Sequence, residues 1–130
     1  MRLCLLDVGT KAIFYGDYMT YLMDAKQRKA TRATLFFEFQ KGVFHGKHWV
    51  NDSVYLYADI FDRLDMYHLF VASLPHFEYY YVTEVSPAQY AHLKNKAMAC
   101  GGEIAAIFHK LDIWVTECFK TESCFTILGI

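Results

Sequence analysis

The sequence predicts an α+β fold: a largely antiparallel sheet with helices packed on one face, in a single domain. Three observations carry that expectation. Two adjacent segments with a two-residue repeat flank a glycine turn, helix-period segments dominate the second half, and no internal repeat or Pro/Ser-rich linker divides the 130 residues. A chain of this length can bury a core without disulfide or metal staples. Its composition, 55% hydrophobic against 21% charged, belongs to a folded globule rather than a disordered chain.

The elements follow in order. Residues 2–8 are an apolar run ending in Asp7-Val8-Gly9-Thr10, which reads as a strand and turn. Asp17 is placed to cap a helix reaching about residue 29, with Tyr18, Tyr21, Leu22 and Ala25 on one face. Segments 33–45 and 48–58 then flank Gly46-Lys47, and glycine at the first central position suits a type II′ hairpin turn. Folding there pairs His45 with His48, Val43 with Val50, Lys41 with Asp52, Phe39 with Val54 and Phe37 with Leu56. One face is then apolar, with an opposite-charge pair near the turn. The other carries Phe44 with Trp49, Glu38 with Tyr55 and Phe36 with Tyr57, an amphipathic set expected to be partly exposed. A turn at Lys41-Gly42 is the competing register, and it leaves Asn51-Asp52-Ser53 as a helix start.

Asp59 is the expected cap of a helix reaching about residue 73, with Asp62 in its first turn, where negative charge suits the macrodipole. Ile60, Phe61, Leu64, Tyr67, His68 and Val71 form the expected inner stripe; Asp62 and Asp65 fall toward solvent. Pro75 ends this helix, and 77–84 reads as a strand. Ser86-Pro87 is a cap followed by proline at the first helical position, and that helix stops at Cys100-Gly101-Gly102. Ile104, Ile107, Phe108, Leu111, Trp114, Val115 and Cys118 then keep helical spacing. The β-favouring Ile113-Trp114-Val115-Thr116 leaves a C-terminal hairpin open as the alternative. Residues 124–130 close the chain as a strand.

Function is less legible than fold. The chain holds 11 Phe, 10 Tyr and 2 Trp. So many tyrosines are hard to hide completely, because each hydroxyl needs water or a partner, and exposed tyrosine is common at recognition faces. Charge is segregated although the formal net is −1. Lys26, Arg28, Lys29, Arg32, Lys41 and Lys47 face a single acid, Glu38, between positions 26 and 47. Asp52, Asp59, Asp62, Asp65, Glu78 and Glu84 face only Arg63 between 48 and 92. Such blocks either neutralise each other across the fold or meet a partner of opposite charge.

Motifs for chemistry are weak. Leu5-Leu6-Asp7-Val8-Gly9-Thr10 resembles the first phosphate loop of the actin and sugar-kinase superfamily, but that fold needs two large lobes that 130 residues do not supply. A II′ hairpin would set His45 and His48 side by side with Lys47 at the tip, a set able to run acid/base cleavage of RNA. His68, on the apolar side of its helix, reads as a core histidine. The four cysteines, at 4, 100, 118 and 124, show no Cys-x-x-Cys spacing, so no zinc site is expected. The run 69–74 is too short to span a bilayer. Only four uncharged residues separate Arg2 from Asp7, where a secretory segment takes roughly 7–15 apolar residues, so the expectation is a cytoplasmic protein with reduced thiols. The basic run 26–32 spans an expected helix end, where cations already suit the dipole.

A compact, tyrosine-rich chain with an acidic block and no active-site motif resembles the small immunity proteins that neutralise polymorphic or contact-dependent toxins. The resemblance is one of general build. It implies a cytosolic inhibitor that binds one cognate toxin domain without turnover, with acidic side chains opposing a basic substrate cleft if the toxin is a nuclease. The expected partner-binding residues are Asp62, Asp65 and Asp59, with Asp52, Glu38 and Tyr55 near them. No cofactor is expected, and nucleic acid and membrane are not the expected partners. Two other classes stay open: a small RNA-cleaving or other enzyme using His45, His48 and Lys47, and a structural or adaptor protein of phage or mobile-element origin.

Overall fold

A computed structural model describes residues 21–31 and 35–130. The strand and loop expected over 2–10, the cap expected at Asp17 and Cys4 lie outside the described residues. The elements in chain order are β1 (Leu22–Asp24), α1 (Ala25–Ala30), β2 (Phe36–Lys41), β3 (Val54–Tyr57), α2 (Ala58–Arg63), α3 (Met66–Ser73), β4 (Val82–Val85), α4 (Pro87–Cys100), α5 (Gly102–Phe119) and β5 (Phe125–Leu128). The strands form one sheet in the order β1-β3-β2-β5-β4, antiparallel at every pairing. This is the α+β architecture that the sequence pattern predicts.

The strand β2, Phe-Phe-Glu-Phe-Gln-Lys, lies central and is buried on both faces. Phe37 and Phe39 face the main core, with Leu56 and Val54 opposite them on β3 and Phe125 and Ile127 on β5. Helices α2 to α5 cover that face through Phe61, Phe70, Leu93, Phe108, Leu111 and Val115, all nearly inaccessible. Burying a side chain of this size contributes about 1.5–3 kcal/mol, so the aromatic layer is the main stabilising feature. Phe36 and Tyr55 point the other way and pack with Met23, Ala25 and Tyr57, so the short α1 sits on the face opposite the larger helices.

The pairing register agrees residue by residue: Phe36 with Tyr57, Phe37 with Leu56, Glu38 with Tyr55, Phe39 with Val54. The turn does not. The ladder ends at Phe39 and Val54, Lys41 pairs with Phe125 of β5 rather than with Asp52, and 42–53 is a loop rather than a tight II′ hairpin. Gly42, at φ +76°, turns the chain toward β5, where its N–H donates to the Cys124 carbonyl and its own carbonyl accepts from Thr126 Oγ1. The returning loop is drawn onto the second face by hydrogen bonds from the Trp49 and Val50 amides to Glu38.

Four further expectations are corrected. The helix expected to run through residue 29 is interrupted: Leu22 and Met23 bury opposite faces, a strand pattern, and Asp24 caps the following α1 in a capping box with Gln27. The helix expected over 59–73 breaks at Leu64-Asp65, where Asp65 adopts φ +55°, a conformation short polar side chains tolerate. The break rephases α3, so Met66, Phe70 and Ser73 turn inward while Tyr67 and His68 turn out. Tyr57, not Asp59, precedes α2, and Asp59 lies in its first turn. Finally, the strand expected over 77–84 begins only at Val82; Phe77 is buried and 78–81 is a turn.

The helix α4 has the Ser86–Gln89 capping box with proline at its start and ends before Gly101, as the sequence dictates. Residues 113–116 lie inside α5, which settles the hairpin alternative in favour of one helix.

Candidate functional site

Exposed Asp62 of α2 meets Tyr79 of the 78–81 turn. Tyr79 is the joint between core and surface. Its ring packs on Phe37 and Phe61 at 5.3 and 6.0 Å, and it touches Tyr67 and Tyr80 at 6.3 and 4.8 Å. Its hydroxyl donates to both oxygens of Asp62, at 3.0 and 3.2 Å. Burial, then the Asp62 hydrogen bond and charge, push the Tyr79 phenol up to about 12. Tyr80 and Tyr81 are each 71% exposed, an unusual display for large aromatic side chains.

The turn is held by the end of the chain. Gly129 N–H donates to the Tyr81 carbonyl at 2.8 Å and Ile130 N–H to the Tyr79 carbonyl at 2.9 Å. A Cβ at Gly129 would collide with the Tyr79 carbonyl and the Tyr81 amide, so glycine is needed for this close approach.

Asp59, Asp62 and Asp65 are all exposed. Arg63, their neighbour in sequence, turns away to Glu103 and Tyr21, and Tyr21 also donates to Glu103. His68 pairs with Asp65 at 2.7 Å. No ion pair to Lys or Arg involves Asp59, Asp62 or Asp65 among the described residues. The arrangement is therefore a negative surface edged by tyrosine rings, with little internal neutralisation.

Not every expected member belongs to it. Glu38 and Tyr55 are buried, 3% and 0% exposed, on the second sheet face. Glu38 Oε1 accepts the Trp49 N–H at 2.9 Å, while Oε2 accepts from Val50 N–H, Ser53 Oγ and Gln40 Nε2 at 2.7–3.0 Å and more weakly from Tyr55 at 3.4 Å. A carboxylate so enclosed organises the loop. Tyr55 donates more closely to the Val50 carbonyl, at 2.7 Å, and burial followed by the Glu38 charge raises its phenol. Asp52 is exposed on the loop, and its carbonyl accepts from the Trp114 indole. The tyrosines 67, 79 and 80 were the missed members. Their clustering was visible in sequence, but reading 77–84 as strand hid the turn that presents them.

His45, Lys47 and His48 are exposed in the loop. The cross-ribbon pairing that would set the two imidazoles side by side is absent, since the ladder stops short of them; the His48 ring instead lies against Phe44 at 5.2 Å. His68 is solvent-facing rather than a core histidine. Cys118 and Cys124 are buried, and burial is the main cause raising both thiols, whereas Cys100 is exposed at the end of α4. Among the described residues no three His, Cys, Asp or Glu side chains are placed to hold a metal ion. No helix among them is long and apolar enough to cross a membrane. No protein family, curated protein or solved structure matches the chain.

Proposed function

We propose that this chain is a non-catalytic protein-binding module, an immunity or inhibitor protein that neutralises a cognate toxin domain by covering its active site. The observation that supports this reading most is the hydrogen bond from Tyr79, which packs on Tyr67 and Tyr80, to Asp62, one of three exposed acids with Asp59 and Asp65. Carboxylates steer a basic partner and select against acidic ones, and tyrosine supplies rigid contact area with a polar tip. A basic nuclease cleft has the complementary charge. Affinity capture from the native host, followed by assay of the captured protein, tests the reading. The expected result is a basic enzyme whose activity falls to zero at one equivalent of this chain. Capture of an enzyme whose turnover is unaffected at saturation contradicts it.

A further inference from the structure

A groove of about 240 Å³ opens on the sheet face opposite α2–α5. Leu35, Phe36, Leu128 and Ile130 give it apolar walls, His48 and Trp49 border it from the loop, and Glu38 contributes to its lining. Glu38 is the informative member. It is almost wholly buried, yet no ion pair among the described residues involves it. Its compensation comes from uncharged donors, four on Oε2 and one on Oε1. A carboxylate oxygen readily accepts more than one hydrogen bond, so Oε1 keeps acceptor capacity. A charge held in low dielectric without a counter-ion attracts an incoming cation more strongly than a hydrated surface carboxylate does.

We propose that this groove is an anchor site for an arginine side chain, its guanidinium directed to Glu38 Oε1 and its methylene stem lying along Phe36 and Leu128. Arginine fits better than lysine because guanidinium is planar, weakly hydrated and stacks on aromatic rings. Trp49 already accepts one guanidinium, with Arg28 Cζ 4.5 Å from the ring centroid. Arg28 also lies over the Tyr55 ring, 4.9 Å from its centroid, and makes no ion pair with Glu38 among the described residues. Gly129 and Ile130 line the groove and hydrogen-bond to the Tyr81 and Tyr79 carbonyls. The inference rests on the protein-binding reading only for the source of the arginine.

The test uses the free side-chain chemistry. Titration of the whole chain with N-acetyl-arginine amide, followed by NMR, should shift the Trp49 indole N–H and the amides of Trp49, Val50 and Gly129 saturably, with a Kd of about 1–10 mM. The citrulline analogue, neutral and nearly the same shape, should bind at least tenfold more weakly, and the lysine analogue should fall between. Leu35→Lys, at a 57% exposed rim position, should weaken arginine binding at least tenfold without altering the fold. Glu38→Gln should do the same if it folds; Leu35→Lys decides the matter if it does not. Absence of saturable shifts, or equal binding of arginine and citrulline, overturns the proposal. Arginine binding by a chain that inhibits no captured enzyme would reject the toxin reading alone.

Discussion

Glu38 Oε1 accepts the backbone N–H of Trp49 at 2.9 Å while Trp49 sits at φ +61°, a left-handed conformation that a bulky side chain rarely adopts. The two facts explain each other. The carboxylate needs donors in a strand interior, and turning Trp49 into this region goes with two successive amides, 49 and 50, converging on it. The ring is then held by Arg28, Tyr55 and Phe36, which help offset the backbone strain.

Removing the carboxylate should therefore unlatch the loop. Glu38→Ala leaves several buried donors unpaired and is expected to cost roughly 3 kcal/mol or more in urea denaturation. Ser53→Ala deletes a single donor and should cost about 1 kcal/mol. Equal, small effects would show that water replaces the carboxylate cheaply.

The Tyr79 phenol has a definite pH signature. Its value in the fold, about 12, lies above the ordinary 10.0, with burial the larger cause and Asp62 the second. A raised value means the fold favours the protonated form. This contribution is complete below about pH 10 and is lost as pH rises toward 12. Tyrosinate absorbance should show Tyr79→Phe removing a late-titrating group, and alkaline unfolding should become less steep in that variant. A Tyr79 that titrates at the ordinary 10.0 contradicts the geometry.

Gly129→Ala drives a methyl group into the backbone of the 78–81 turn. A loss of about 1–3 kcal/mol is expected, as for other overpacked sites. Shifts of the Tyr79–Tyr81 amides should accompany it, together with weaker partner binding. Stability at the wild-type level, with those amides in place, would show that the turn is not pinned there.

How much was legible varies by element. The β2–β3 register was, because alternating apolar residues fix which side chains share a face, and a one-residue slip would have exposed Phe37, Phe39, Val54 and Leu56 together. So were the caps of α4 and its glycine stop, which depend on local chemistry. The features that were misread depended on distant groups. Gly46-Lys47 is a good local turn, but Glu38 and β5 both compete for the backbone around it. The α2–α3 break rests on Asp65 taking a left-handed conformation, which its identity permits without requiring. Of the site, the three acids could be read from the helical pattern. The tyrosine turn could not, since the bonds that form it come from Gly129 and Ile130, about fifty residues further along the chain.

Binding of the captured partner across a range of salt concentrations puts the acidic tyrosine surface to its most direct trial. Asp62→Asn with Asp65→Asn removes two charges while keeping an acceptor for Tyr79 and a residue that tolerates the left-handed turn. Stability should stay within about 0.5 kcal/mol of the parent. Affinity at low salt should fall at least tenfold, mainly through slower association, and its dependence on salt should flatten. Unchanged affinity and an unchanged salt slope in a folded double variant would contradict the assignment of this surface.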